Sequence, residues 1–128
     1  MTADSECRPF DIVSPSIVLE LELTDFDIDQ QLQGLDGVSL VLFTSAGCSR
    51  CRWARAQLPE LGLPVDRLCW VDAADNGGAV ERYQVFHLPA LFVVSDGEFY
   101  GALQSRLTYK ELSEGLRQAL NRIPEELP

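Results

Sequence analysis

Long hydrophobic runs are missing from this chain of 128 residues. The longest apolar stretches, such as Leu40 to Phe43 and Leu88 to Val94, fall far short of the roughly 20 residues a membrane-spanning helix needs. No transmembrane segment is expected, and no membrane partner. Basic charge is scarce as well. Ten Lys plus Arg against twenty Asp plus Glu leave a formal net charge of −10, a sign that phosphate backbones repel, so nucleic acid is excluded as a partner. Met1 to Pro9 has neither a basic start nor an apolar run before a small-residue cleavage site, which makes a cytoplasmic location the expectation. There is no internal repeat and no low-complexity segment. With 46% hydrophobic and 23% charged residues, the composition is that of an ordinary globular protein rather than a disordered or collagen-like one. The length suits one compact domain and leaves no room for a separate substrate domain.

What is present divides into an arm, a domain and a tail. Residues 1–16 carry Pro9, Pro15 and scattered acids without periodicity, and are expected to form a loosely held acidic arm. The domain is expected over 17–123, with a short tail over 124–128. In Val18 to Leu23 leucines alternate with Glu20 and Glu22, the pattern of a strand with one solvated face. Thr24 and the acids after it introduce a helix whose Ile28, Leu32 and Leu35 share a face. Val38 to Phe43 reads as a central strand covered on both sides. A short helix after Cys51 ends or bends at Pro59 or Pro64, and Leu68 to Val71 gives another strand. A third helix through Ala79, Val80 and Tyr83 is weakened by Gly77 and Gly78. Asp96-Gly97 between two strand-like runs signals a hairpin. Thr108 with Glu111 fits a capping box, opening a last helix with Leu112, Leu116 and Ala119 on one face. The order β-α-β-α-β-α-β-β-α calls for an α/β fold with a mixed central β-sheet flanked by helices.

The chemistry concentrates in Cys48-Ser49-Arg50-Cys51, placed after an apolar strand and at the mouth of a helix. A helix start offers free N–H groups and positive potential, which stabilise a thiolate and activate Cys48 as nucleophile. Cys51, one turn deeper, is then set to attack the mixed disulfide and release the reduced substrate. The charge of Arg50 favours the Cys48 thiolate. Arg52 and Arg55 read as a solvated helix face, and Trp53 and Trp70 as core packing. Zinc is the competing interpretation of the cysteine pair. Structural zinc sites generally need four ligands, whereas Cys7 and Cys69 are isolated and His87 is the only histidine. Cys69 is most simply a small buried hydrophobe, and Cys7 an arm thiol open to adventitious or regulatory disulfides. No flavin or nicotinamide fingerprint occurs, and the chemistry needs no bound cofactor.

From about Ile17 to Leu120 the chain resembles the thioredoxin family. Three blocks carry the likeness: Val38 to Cys51; Val71-Asp72 with the Asn-Gly turn and Val80 to Val85; and Leu88-Pro89-Ala-Leu-Phe-Val-Val-Ser-Asp-Gly-Glu98. The resemblance implies a thioredoxin-like fold, a cis Pro89 beside Cys48, and a groove in which the backbone of Leu88 pairs with an extended substrate. His87 would lie near the cysteines, where it either tunes a thiolate or is a loop histidine without a role. The implied activity is thiol-disulfide exchange with protein disulfide substrates, resupplied by an external thioredoxin reductase or glutathione. The alternative is a thioredoxin-fold interaction or assembly module with little redox turnover. The departures are specific. Gly47 stands where the family has Trp and Arg50 where it has Pro, while Leu42 and Leu68 replace a buried acid and its accompanying lysine. Ala56 replaces a helix proline, and the segment between Cys51 and Asp72 is shortened.

Overall fold

The computed structural model describes residues 18–128. The expected arm, residues 1–16, and Cys7 within it lie outside the described residues. Five strands form one sheet: β1 (Leu19–Leu23), β2 (Val38–Thr44), β3 (Arg67–Asp72), β4 (Ala90–Ser95) and β5 (Glu98–Leu103). The helices are α1 (Ile28–Gln33), α2 (Ser49–Gln57), α3 (Gly77–Arg82) and α4 (Tyr109–Ala119), and a 3-10 turn at Leu58–Glu60 follows α2. Strand order is β1-β3-β2-β4-β5. The β1–β3 and β3–β2 pairs are parallel, while β2–β4 and β4–β5 are antiparallel. This is the mixed sheet expected from helices alternating with the early strands and a hairpin near the end.

Alternate residues of each strand face opposite layers, and the two layers are distinct. On one side Leu40, Leu42, Leu68, Trp70, Leu91 and Val93 pack against Ala54 of α2 and Leu112, Leu116 and Ala119 of α4. On the other Val41, Phe43, Cys69, Val71, Phe92 and Val94 meet Ile28 and Leu32 of α1 and Ala79 of α3, with Tyr83 beside them. Phe43, Tyr83, Phe92 and Phe99 form an aromatic cluster there, their ring centroids 5.4 to 5.9 Å apart. The apolar run of β2 is thus covered on both faces, as its composition requires.

Several local readings change in the folded chain. The glutamates of β1 do not simply face water. Glu20 accepts the indole N–H of fully buried Trp70 at 2.8 Å, and Glu22 is ion-paired with Arg55, whose guanidinium stacks 4.5 Å from the Trp70 ring centroid. Burying an indole requires a partner for its N–H, and the edge strand supplies one. Gly77 and Gly78 weaken nothing in the middle of α3, because they are its first two residues. Their backbone N–H groups would be unpartnered there, and Asp25 of the β1–α1 connection fills the role of a cap: its carboxylate accepts from Gly78 at 3.2 Å and Ala79 at 2.5 Å. A Cβ on Gly78 would meet that carboxylate at 3.3 Å. Asn76 Oδ1 returns a bond by accepting the Asp25 backbone N–H at 2.9 Å. Asp96 and Gly97 take φ of 51° and 80°, the left-handed pair that a two-residue hairpin turn demands. Past α4, Glu125 exchanges both backbone hydrogen bonds with Phe99, so the tail pairs with the outer edge of β5.

Asp25→Ala is expected to lower stability by about 1–2 kcal/mol, the usual loss when a helix start loses its cap. Urea unfolding followed by circular dichroism measures it, and an unchanged midpoint would show that the Asp25 bonds to α3 contribute nothing.

Candidate active site

The site is built where β2 ends. The strand is held between β3 and β4 through Phe43, and Thr44 still pairs with Asp72. Four residues later Cys48 is the N-cap of α2, with extended backbone at φ −98° and ψ 117°. Its Sγ accepts the backbone N–H of Cys51 at 3.2 Å, the place normally taken by a serine or aspartate oxygen. The thiol therefore occupies the position where free N–H groups converge. Gly47 precedes it in the open, with no atom within 4 Å of where a Cβ would stand, so the approach to Cys48 is clear on that side.

The two thiols are treated differently. Cys48 is held below the ordinary thiol value, chiefly by the hydrogen bond from the Cys51 side chain. Burial opposes this, while the backbone N–H groups of Cys51 and Arg50 and the charge of Arg50 assist it. Cys51 is 1% exposed, and burial, helped by the bond to Cys48, pushes its pKa up to about 11. The half-buried Cys48 is the stronger acid and the better thiolate, while the covered Cys51 is the weaker acid and keeps its proton.

The Leu88–Pro89 peptide bond is cis. Cys48 Sγ lies 3.9 Å from the Leu88 carbonyl oxygen, which brings the loop before β4 against the thiol. Pro89 is buried, Leu88 half-buried and His87 exposed. Cys48, Cys51, Arg50 and Leu88-Pro89 are thus gathered at one place. His87 extends the same loop outward and makes no hydrogen bond to either thiol among the described residues. Cys69 is fully buried on the opposite face of the sheet, with its pKa pushed up to about 11 by desolvation.

Other side chains near the pair differ from their sequence readings. Trp53 is not core: it is 45% exposed and lines a cleft with Arg50, Arg106 and Leu107. The buried face of α2 carries Cys51 and Ala54, and Trp53 lies off it. Arg52 and Arg55 are not merely solvated. Arg52 donates to the Ala46 carbonyl at 2.7 Å, tying α2 to the preceding turn, and Arg55 covers Trp70. Behind Cys51 a cavity of about 480 Å³ is lined by Thr44, Ser45, Ala46, Arg52, Arg55 and Asp72, among others. Asp72 is its sole carboxylate. In the sequence Asp72 is only a turn residue at a strand end; its place beside Cys51 follows from the parallel pairing of β3 with β2. Leu42 and Leu68 are fully buried in the apolar layer that holds Ala54. No group of three His, Cys, Asp or Glu side chains among the described residues is arranged to hold a metal ion.

Comparison with known proteins follows this geometry. Over 81 residues the chain is 31% identical to a thioredoxin of Staphylococcus epidermidis, covering 61% of this chain and 76% of that one. Thioredoxins of Staphylococcus saprophyticus and Staphylococcus aureus match over the same length at 30% and 28% identity. No family model matches the chain. Among solved structures, the zinc-bound form of human ERp44 superposes with a TM-score of 0.58 at 20% identity, covering 77% of this chain and 30% of that one. A designed protein superposes with a TM-score of 0.63 at 23% identity, covering 88% and 99%. These two likenesses are of fold.

Limited iodoacetamide treatment of the reduced protein at neutral pH is expected to label Cys48 well before Cys51 and Cys69, because reactivity follows thiolate fraction and access. Mass mapping reads the order. Labelling of Cys51 or Cys69 first would contradict the electrostatics of the pair.

Proposed function

The chain belongs to the thioredoxin family, and on that premise we propose that it exchanges disulfides with a few protein partners through Cys48 and Cys51. The observation that supports this most is the unequal pair: a thiol lowered at a helix start and open to solvent, one turn from a covered thiol with a raised pKa. In the proposed reaction the Cys48 thiolate attacks one sulfur of a partner disulfide. That bond breaks, the first partner sulfur leaves as a thiolate and takes a proton, and a mixed disulfide joins Cys48 to the second. Cys51 then loses its proton and attacks Cys48. The mixed disulfide breaks, the second partner thiol departs, and two electrons have passed from the protein to its partner as the Cys48–Cys51 disulfide forms.

Pro89 and the half-buried Leu88 shape the groove in which the partner's extended chain lies, with His87 at its outer edge and Arg50 favouring the Cys48 thiolate. No bound cofactor is required. Thioredoxin reductase or glutathione in a cytoplasmic setting would return the electrons. The second step is the demanding one. Leucines at 42 and 68 cannot accept the Cys51 proton, and Asp72, the carboxylate in the cavity behind Cys51, is our candidate for that task. The same lack of a buried acid favours a second reading, an interaction or assembly module that holds partners and turns over little. A reversible Cys48–Cys51 couple with a measurable reduction potential supports the exchange reading, and failure to form that disulfide reversibly supports the other.

Resolution of the mixed disulfide is expected to be slow near neutral pH and to accelerate roughly tenfold per pH unit from pH 7 to 9, since Cys51 titrates far above that range. Stopped-flow reduction of a disulfide peptide follows this. Leu42→Asp is expected to speed resolution by about 10²-fold, within the usual range for a placed general base, and Asp72→Asn to slow it. A pH-independent resolution as fast as first attack would show that proton loss from Cys51 does not limit the cycle.

A further inference from the structure

We infer that the surface beside Cys48 is a docking site for an acidic segment of the partner protein, one that lays an apolar side chain flanked by carboxylates between Arg50 and Arg106. The inference rests on the exchange proposed above and names the chemistry of its partners. The cleft is a hollow of about 260 Å³ with Arg50 and Trp53 of α2 on one side and Arg106 and Leu107 of the β5–α4 connection on the other. Trp53 and Leu107 give it an apolar floor, and both arginines are exposed at its rim.

What singles out the two is that, of the arginines among the described residues, they alone have been left without partners. Each of the other six arginines among the described residues is engaged. Arg52 donates to the Ala46 carbonyl, and Arg67 to Ser39 Oγ and the Asp36 carbonyl. Arg122 donates to the carbonyls of Tyr100 and Ala102. Arg55, Arg82 and Arg117 are ion-paired with Glu22, Asp29 and Glu114. No ion pair or guanidinium hydrogen bond among the described residues involves Arg50 or Arg106. In a chain with twice as many acids as bases this needs a cause, and the segments that carry Cys48, the Leu88–Pro89 loop and Arg106 supply it. Residues 45–59, 83–95 and 99–110 contain five of the ten Lys and Arg and none of the twenty Asp and Glu.

The consequence is a positive, half-apolar patch on a strongly negative protein. A partner acidic over its whole surface is repelled at long range, whereas a local acidic stretch next to its disulfide is drawn to the patch and oriented there. Guanidinium groups suit that task because each takes a carboxylate with two parallel hydrogen bonds. The exposed indole of Trp53 between them excludes water from the contact and gives the apolar side chain its seat. Charge thus selects which disulfides reach Cys48.

The test uses the full reduced chain and three synthetic peptides of one sequence, each with a disulfide flanked by Glu-Leu, Gln-Leu or Lys-Leu. Reduction rates are followed at low and high salt, and binding of the same peptides with serine in place of cysteine is measured by calorimetry. The Glu peptide is expected to react about tenfold faster than the Lys peptide at low salt, a difference that salt erodes. Its serine form is expected to bind more tightly by a similar factor. Arg106→Glu should abolish or invert the preference, while Arg117→Glu, the same charge change on the outer face of α4, should preserve it. Equal rates and equal binding for the Glu and Lys peptides would overturn the inference, as would a preference that survives Arg106→Glu. If no peptide is reduced but the serine forms keep the Glu preference and its loss in Arg106→Glu, the docking site stands and the exchange reading fails.

Discussion

Strand β2 holds the site in place. Its residues from Ser39 to Thr44 are buried, and it lies mid-sheet with backbone bonds to β3 on one edge and β4 on the other. Such a strand has no freedom of register, because a slip by one residue would exchange two apolar faces that are filled with different side chains. The turn that leaves it therefore starts from a fixed point, and α2 is fixed in turn by Ala54 in one layer and Arg55 over Trp70. Cys48 inherits that rigidity as the residue that caps α2. Its thiol is low because of where it stands, and Cys51 is high because the same helix carries it inward.

The opposite side of the site depends on the antiparallel half of the sheet. β4 brings the cis Leu88–Pro89 bond to the end of β2, and the β4–β5 hairpin returns the chain so that the connection into α4 faces α2. The groove beside the thiol is thus assembled from segments some forty and sixty residues apart in sequence, held only by sheet pairing and by the two core layers. The acids of the chain have been spent elsewhere: Glu20 and Glu22 secure Trp70 and Arg55, Asp25 caps α3, and Asp29 bonds Arg82 and Tyr83. Their absence from residues 45–59, 83–95 and 99–110 leaves Arg50 and Arg106 without partners among the described residues.

Leu42 and Leu68 both lie in the apolar layer that holds Trp70. Their burial there favours the fold, and neither can take a proton from Cys51, whose own burial makes it harder to ionise. A cavity with one carboxylate, Asp72, opens on the other side of Cys51.

Read along the chain alone, the sequence reveals the elements whose signals are local. The apolar run of β2, the Asp96-Gly97 turn, the Thr108–Glu111 cap and the cysteine spacing at a helix mouth each involve neighbours along the chain, so short-range patterning suffices to read them. It also placed Trp70 in the core. It misread Trp53, Arg55, Gly77 and the glutamates of β1, because the environment of each is set by a residue on another element: Arg106 and Leu107, Trp70, Asp25 and Arg55. Periodicity reports which face of an element is apolar, and says nothing of what stands opposite its polar face. The cavity shared by Cys51 and Asp72 and the cleft between Arg50 and Arg106 were decided only by tertiary structure, since strand pairing and helix packing, rather than sequence distance, bring those side chains within reach of one another.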